Sequence, residues 1–174
     1  MGGRRRVARP ASGDASTAAV DAAAVPVRIR GLARRDLAEV SRIDAHHTGT
    51  RKSAYWKRVL RQFLASRGDR VRVGLAAESQ LGLAGYLLGE VRAFEFGSEP
   101  CGWVFAVGVD ADALRLGVGT ALLAEACRRF RAAGVATVRT MVRRNDVPVL
   151  AFFRANGFSG GPYVQLELDV TRAR

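Results

Sequence analysis

A chain of 174 residues with 48% hydrophobic and 25% charged residues has the length and composition of one globular domain, which excludes a disordered protein. Its apolar runs are strand-sized, far short of the roughly 20 residues that a membrane-spanning helix needs. The formal net charge of +12 suits a polyanionic small ligand. No aromatic-interleaved basic stretch or recognised nucleic-acid motif supports binding to DNA or RNA.

Residues 1–26 differ in composition from the rest of the chain. They begin with an arginine cluster and continue as a mixture of Ala, Ser, Thr, Asp and Gly with almost no large apolar residue. Such a segment buries too little surface to offset its ordering entropy, so we expect a disordered, basic and Ala-rich tail before a folded domain at 27–174. Asp14 and Asp21 interrupt the apolar region that a signal peptide needs, which favours a cytoplasmic protein.

Hydrophobic periodicity predicts ten elements in the folded domain. In chain order they are a strand at 27–32, helices at 34–47 and 53–67, strands at 70–78, 81–94 and 103–110, a helix at 120–133, a strand at 136–144, a helix at 148–156 and a strand at 163–170. The order β α α β β β α β α β indicates a mixed α/β fold with one sheet. The strand at 103–110 is nearly all apolar, which is typical of a strand covered on both faces.

The strand at 103–110 leads into a loop with Gly117 and Gly119 and then into a helix. Glycines let successive backbone N–H groups face a ligand without a Cβ in the way. The first N–H groups of the helix are unpaired and lie at the positive end of its dipole, so the segment predicts a pyrophosphate site. A P-loop would need a Lys after the glycines, and a dinucleotide-binding motif would need Gly where Leu122 stands. Neither pattern is met.

The same segment resembles the acetyl-CoA motif of GNAT N-acetyltransferases, [QR]xxGx[GA] between the fourth strand and the third helix. Gly117 and Gly119 match the motif, whereas Leu114 stands where Gln or Arg is usual and Arg115 is displaced by one position. The segment at 150–158 (LAFFRANGF) is similar to the later motif of the family, a Tyr-containing helix that ends in GF. Each motif alone would also fit an ordinary turn or a core helix. Both occur on the expected elements, and the element order agrees.

The resemblance implies a GNAT-like mixed, mostly antiparallel sheet with flanking helices. It also implies an acyl-CoA-dependent N-acetyltransferase that moves an acetyl group from acetyl-CoA to an amine of a protein or small molecule. The pyrophosphate is expected on the glycine loop, and the donor to the thioester oxygen in the backbone of the fourth strand. The cofactor-binding residues that follow are Val107, Gly108, Val109, Arg115, Leu116, Gly117, Val118, Gly119, Thr120 and Phe153.

The catalytic residues depart from the family pattern. The usual general acid is a Tyr four residues before the Gly of GF, and here that position is Phe153, which has no proton to donate. A thiol with a pKa near 8.5 leaves tolerably well as a thiolate, so transfer itself stays feasible. Tyr163 or Tyr86 could replace the acid, although a strand aromatic in the core is the simpler interpretation. Glu90 is the candidate base, because a carboxylate in an apolar strand is either functional, paired with an Arg or facing solvent.

Two other classes of function stay open. A non-catalytic acyl-CoA-binding or sensory module would fit the missing Tyr, and a nucleic-acid-associated protein would fit the basic charge. No metal site is expected, because Cys101 and Cys127 form no CxxC pair and because His46 and His47 are adjacent and point about 100° apart on a helix. The acceptor is undefined, although the basic helix at 53–67 argues against polycationic amines. A homodimer is left open.

Overall fold

The computed structural model of the chain describes residues 26–65, 71–93 and 97–171. The tail predicted at 1–26 lies outside the described residues except for Pro26. Five strands are formed: β1 Arg28–Gly31, β2 Arg72–Ser79, β3 Gly82–Arg92, β4 Cys101–Val109 and β5 Val138–Arg139. The α-helices are α1 Leu37–Thr48, α2 Ser53–Ala65, α3 Val118–Ala132 and α4 Val147–Ala155. No helix in these ranges has the length and apolar character to cross a membrane.

The strands form one sheet in the order β1-β2-β3-β4-β5. Neighbours are antiparallel from β1 to β4, and β5 pairs parallel with β4. Parallel neighbours need a crossover connection, which α3 provides here. The predicted mixed, mostly antiparallel sheet with flanking helices is therefore confirmed.

Strand β3 is buried on both sides, because helices cover both faces of the sheet. Leu87 belongs to a hydrophobic cluster with Leu122 and Phe130 of α3. Leu88, the next residue, belongs to a second cluster that includes Ile43 of α1 and Trp56 of α2. Since successive side chains of a strand point to opposite faces, this alternation fixes α3 on one face and the α1–α2 pair on the other. The sheet thus separates two cores.

Two strand predictions at the end of the chain differ from the structure. The strand predicted at 136–144 is reduced to the two residues of β5. The strand predicted at 163–170 was wrong: this segment is irregular, and Leu166, for example, is 89% exposed. Alternating apolar residues satisfy the local pattern of a strand, but a strand also needs a hydrogen-bonded neighbour. None of the described strands pairs with 163–170.

Candidate active site

A β-bulge interrupts the pairing of β3 with β4 in the middle of the sheet. Leu88 lies opposite Ala106, whereas Gly89 lies opposite Val104, so Phe105 is an extra residue on β4. A bulge leaves one residue outside the regular ladder and bends the strand that carries it. The bend falls where β4 loses its other neighbour.

The strands β4 and β5 separate soon after they meet. They pair only at Gly102 with Val138 and at Trp103 with Arg139. The Thr140 hydroxyl then donates a hydrogen bond of 2.9 Å to the Val104 carbonyl. Beyond Val104, no described strand pairs with this edge of β4, which leaves a gap between two strands of one sheet.

The gap opens into a cavity of about 440 Å³. Its walls come from both helical layers and from the two diverging strands. They are formed by Asp44, Lys52, Tyr55, Trp56, Tyr86, Val104, Phe105, Ala106, Val107, Thr140, Met141, Val142, Val149 and Phe153. We call the part lined by Asp44, Lys52, Tyr55, Trp56 and Tyr86 the polar end, and the part lined by Val107, Val142, Val149 and Phe153 the apolar end.

Phe153 lines the apolar end, as the sequence motif led us to expect, although its role stays a prediction. Its side chain is buried, and its ring lies 5.0 Å from that of Phe152 and 5.1 Å from that of Phe158, measured between centroids. The residue enters the cavity from α4, whose start is fixed by Asp146. The carboxylate of Asp146 accepts a hydrogen bond of 3.2 Å from the Val149 amide, which is a typical N-cap.

The three β4 residues proposed from the sequence as oxyanion donors occupy different environments. Val107 lines the cavity. Gly108 packs against the ring of Tyr86, and the Val109 carbonyl accepts a hydrogen bond of 2.7 Å from His47. The irregular backbone that borders the cavity lies slightly earlier, at the Phe105 bulge.

The glycine loop leads directly into α3. Gly117 is the N-cap with φ of +79°, a left-handed conformation that glycine adopts without strain. The first bond within the helix runs from the Ala121 amide to the Gly117 carbonyl, 2.9 Å. The N–H groups of Val118, Gly119 and Thr120 therefore precede that bond and lack a partner within the helix, as expected for an anion site.

Gly119 has a further structural use that the motif did not indicate. A Cβ at this position would lie 3.0 Å from the ring of Phe152. Phe152 is the residue beside Phe153, so the first turn of α3 packs against α4 next to the apolar end of the cavity. The predicted phosphate loop and the cavity are thus brought together. Arg115 and Leu116 lie just before the N-cap, and the Arg115 side chain is exposed.

Of the catalytic candidates taken from the sequence, Tyr86 lines the cavity, whereas Glu90 and Tyr163 do not. Glu90 forms ion pairs with Arg92 at 3.3 Å and with Arg72 at 4.0 Å. It is four residues from Tyr86, about 13 Å along the strand at about 3.3 Å per residue. Tyr163 is 52% exposed, and the Arg139 guanidinium lies 4.8 Å from its ring centroid. Of the interpretations open from the sequence, pairing with Arg is the one that the structure shows for Glu90.

The polar end holds an ion pair that was not identified from the sequence. Asp44 Oδ2 lies 3.2 Å from Lys52 Nζ, and the two side chains are 12% and 38% exposed. Asp44 follows Val40 by four residues and so lies on the buried stripe of α1, where a carboxylate is unusual. A carboxylate within the apolar stripe of a predicted helix was the sequence signal that could have identified Asp44.

Aromatic residues complete the polar end. The Trp56 ring lies between Tyr55 and Tyr86, with centroids 5.3 Å and 5.4 Å away in edge-to-face geometry. Burial, with smaller contributions from Asp44 and Tyr55, raises the pKa of Tyr86 well above its ordinary value. The Tyr86 phenol therefore keeps its proton at physiological pH, so that it can donate a hydrogen bond but cannot act as a base.

No group of three or more His, Cys, Asp or Glu side chains that could hold a metal ion occurs in the described ranges. Cys101 and Cys127 are free thiols.

Comparisons with known proteins identify the family of the chain. A model of the acetyltransferase (GNAT) family matches residues 36–158. A mycothiol acetyltransferase from Saccharomonospora viridis is 40% identical over 79 residues, which are 45% of this chain and 24% of that protein. The chain thus spans about a quarter of the length of this curated relative.

Solved structures share the fold. The aminoglycoside N-acetyltransferase AAC(6')-Iy in complex with CoA superposes with a TM-score of 0.72 at 13% identity, over 83% of this chain and 95% of that one. A transcriptional regulator from Bacillus halodurans superposes with a TM-score of 0.68 at 16% identity, over 83% and 99% of the two chains. At these identities the likeness shows the fold alone.

Proposed function

Because the chain belongs to the acetyltransferase (GNAT) family, we propose that it transfers an acetyl group from acetyl-CoA to an amine bound in the cavity between β4 and β5. One observation carries this proposal. The anion-binding geometry at the start of α3 and the apolar end of the cavity adjoin each other through Phe152 and Phe153. A ligand with a pyrophosphate and a reactive thioester arm needs these two features side by side.

Residues of this chain suit the two ends of such a ligand. The unpaired N–H groups of Val118, Gly119 and Thr120 would bind the pyrophosphate at the positive end of the helix dipole. The exposed Arg115 would add charge. The gap where β4 leaves β5 is open to a narrow chain, and the apolar end would hold it out of water.

Acetyl-CoA supplies an acyl group activated as a thioester. The acceptor nitrogen forms a bond to the acetyl carbon, and the C–S bond breaks. An alkylammonium, with an ordinary pKa near 10.4, loses two protons in the process: one ends on the CoA thiol and the other in solvent. Backbone groups from the Phe105 bulge to Val107, which β5 does not use, would provide the donors for the developing oxyanion.

The leaving group must depart without help from Phe153, which has no hydroxyl. A thiolate is stable enough to leave and to take up its proton from solvent. The mechanism therefore depends on orientation and on oxyanion stabilisation rather than on a general acid.

Calorimetric titration with acetyl-CoA, together with detection of free CoA thiol in the presence of an amine panel, tests the proposal. We expect measurable binding, a rise in melting temperature at saturating ligand, and thiol release with an N-acetylated product from at least one amine. Absence of both binding and a thermal shift would refute the acetyl-CoA site. Binding with no turnover across the panel would instead favour a non-catalytic acyl-CoA-binding module.

A further inference from the structure

The polar end of the cavity takes no part in binding acetyl-CoA as proposed above, and its chemistry defines an acceptor. We propose that it binds a small zwitterionic amine of the amino-acid type, with the ammonium at Asp44 and the carboxylate at Lys52. This inference rests on the proposed acetyl transfer and names the class of its acceptor.

The charge of the cavity lining favours a zwitterion over a polycation. Among the described residues that line it, Asp44 and Lys52 are the only charged ones, and they form an ion pair of 3.2 Å. The lining is therefore electrically neutral. A polycationic amine would place several positive charges against one carboxylate that Lys52 already compensates, which is unfavourable in a partly buried site. A zwitterion instead brings one charge of each sign to a partner of each sign.

Two buried polar atoms at the polar end have no hydrogen-bond partner among the described residues. Asp44 Oδ2 is buried and, despite its ion pair, has no hydrogen-bond partner in the described part of the chain. The buried indole N–H of Trp56 also has none there. Buried polar groups are ordinarily hydrogen-bonded, so both atoms can pair with a ligand that brings a donor and an acceptor. An ammonium donates to the carboxylate of Asp44, and a carboxylate accepts from Trp56 and Lys52.

The size and surroundings of the cavity favour a small acceptor. Its volume of about 440 Å³ lies in the lower part of the roughly 300–1,000 Å³ range of ligand pockets, and the acyl arm occupies part of it. A small acceptor fits this space better than an aminoglycoside of several rings. The outer face of α2 carries exposed Lys57, Arg58 and Arg61, which attract anionic groups and repel polycations.

The test compares acceptors that differ in one charge. The twenty common amino acids and their C-terminal amides are titrated into the CoA-bound protein by calorimetry, and the same compounds and the polycation kanamycin are assayed for acetylation. We expect at least one amino acid to bind, and its amide to bind about tenfold or more weakly, since one ion pair is lost. The reverse preference, or acetylation of kanamycin alone, would overturn the proposal.

Two variants test which charged group of the acceptor each residue binds. Lys52→Met should reduce the difference between an amino acid and its amide to about twofold or less, and Asp44→Asn should weaken both by about tenfold or more. Glu39→Gln is the matched control, because this carboxylate lies on the same helix and pairs with Arg42 outside the cavity. It should leave both affinities unchanged.

Acetyl-CoA affinity and circular dichroism, measured on each variant, separate a lost acceptor site from a lost fold. Unchanged amino-acid binding in a folded Asp44→Asn protein would overturn the assignment. Amino-acid binding is measured apart from turnover. A protein that acetylates other amines and binds no amino acid therefore refutes this inference alone, whereas a protein that binds amino acids without acetylating any amine refutes the proposed function alone.

Discussion

A carboxylate placed at the start of α3 tests the phosphate site without weakening the fold. Thr120 is the third residue of the helix, and its side chain is exposed. In Thr120→Glu the new charge lies near the positive end of the helix dipole, which stabilises a helix by about 0.3–1 kcal/mol. The same charge lies among the N–H groups that the proposal assigns to the pyrophosphate. Stability and ligand affinity should therefore change in opposite directions.

The size of the effect follows from Coulomb's law. Two unit charges about 5 Å apart interact by about 3 kcal/mol at an effective dielectric constant near 20, and by slightly less than about 1 kcal/mol in water. The site lies at the surface, so a loss of about 1–3 kcal/mol is expected, which weakens acetyl-CoA binding about 5- to 150-fold. Added salt should narrow the difference, because it screens exposed charges.

Calorimetry with acetyl-CoA at low and high salt measures the loss, and thermal unfolding measures the stability. Ala124→Glu is the matched control, because it adds the same charge at an exposed position one turn later. There the new carboxylate faces Arg128 at the favourable i, i+4 spacing. If Thr120→Glu binds acetyl-CoA as tightly as the unmodified protein, the phosphates do not lie at the start of α3.

Three further variants test the cavity, the core between α3 and the sheet, and an ion pair. Phe153→Tyr adds a hydroxyl at the apolar end and should leave turnover equal or higher, measured as thiol release. Gly102→Ala should lower stability by about 1–3 kcal/mol, seen as a melting temperature lower by about 3–10 °C, because its Cβ would lie 2.6 Å from the buried ring of Phe130. Asp36→Asn should cost about 1.5–3 kcal/mol at neutral pH, because it removes the charge of a carboxylate bonded to Arg30 at 2.8 Å through both oxygens, while Glu78, 3.1 Å away, still compensates Arg30.

The pH dependence of Asp36 has a defined sign. Burial raises the pKa of this carboxyl, but hydrogen bonds from Arg30 and the Ala33 amide outweigh burial and hold the pKa below its ordinary value. A lowered folded-state pKa gives stability that is complete above the unfolded value near 3.9 and is lost as the pH falls through the folded value. Acid unfolding below about pH 4 should therefore be shallower in Asp36→Asn. Equal slopes, measured by urea titration at each pH, would contradict this assignment.

The predictions for Gly102→Ala and Phe153→Tyr each have an outcome that would contradict them. Gly31→Ala is the control for Gly102→Ala, because a Cβ there meets nothing within 4 Å. Equal melting temperatures for the two alanine variants would show that Phe130 gives way without cost. A folded Phe153→Tyr protein with lower turnover would show that the acyl arm needs the apolar surface more than it needs a proton donor.

The sequence by itself determined the elements that depend on local pattern. The apolar stripe of α3 and the glycine loop before it are read from residues within one or two helical turns. Together with the motif at 150–158 and the order of the elements, they were sufficient for the fold class and for the family, both of which are confirmed. The disorder of the tail at 1–26 and a cytoplasmic location stay predictions.

Only the tertiary structure decided which polar residues meet at the cavity. Glu90 looked unusual within its own strand, but it pairs with Arg92 of that strand at 3.3 Å and with Arg72 of the neighbouring strand at 4.0 Å, and the second pair exists only because the strands are neighbours. Asp44 reaches the cavity because the sheet places α1 beside Tyr86, and these two residues are far apart in the chain.

The strand ends depended on tertiary structure for the same reason. The alternation at 163–170 was read as a strand, and the Phe105 bulge was not foreseen, because both depend on what a neighbouring strand offers. Side-chain periodicity is a property of one segment, whereas hydrogen-bonded pairing, register and ion pairs are properties of two. A sequence states the first directly, and the second exists only once the chain has folded.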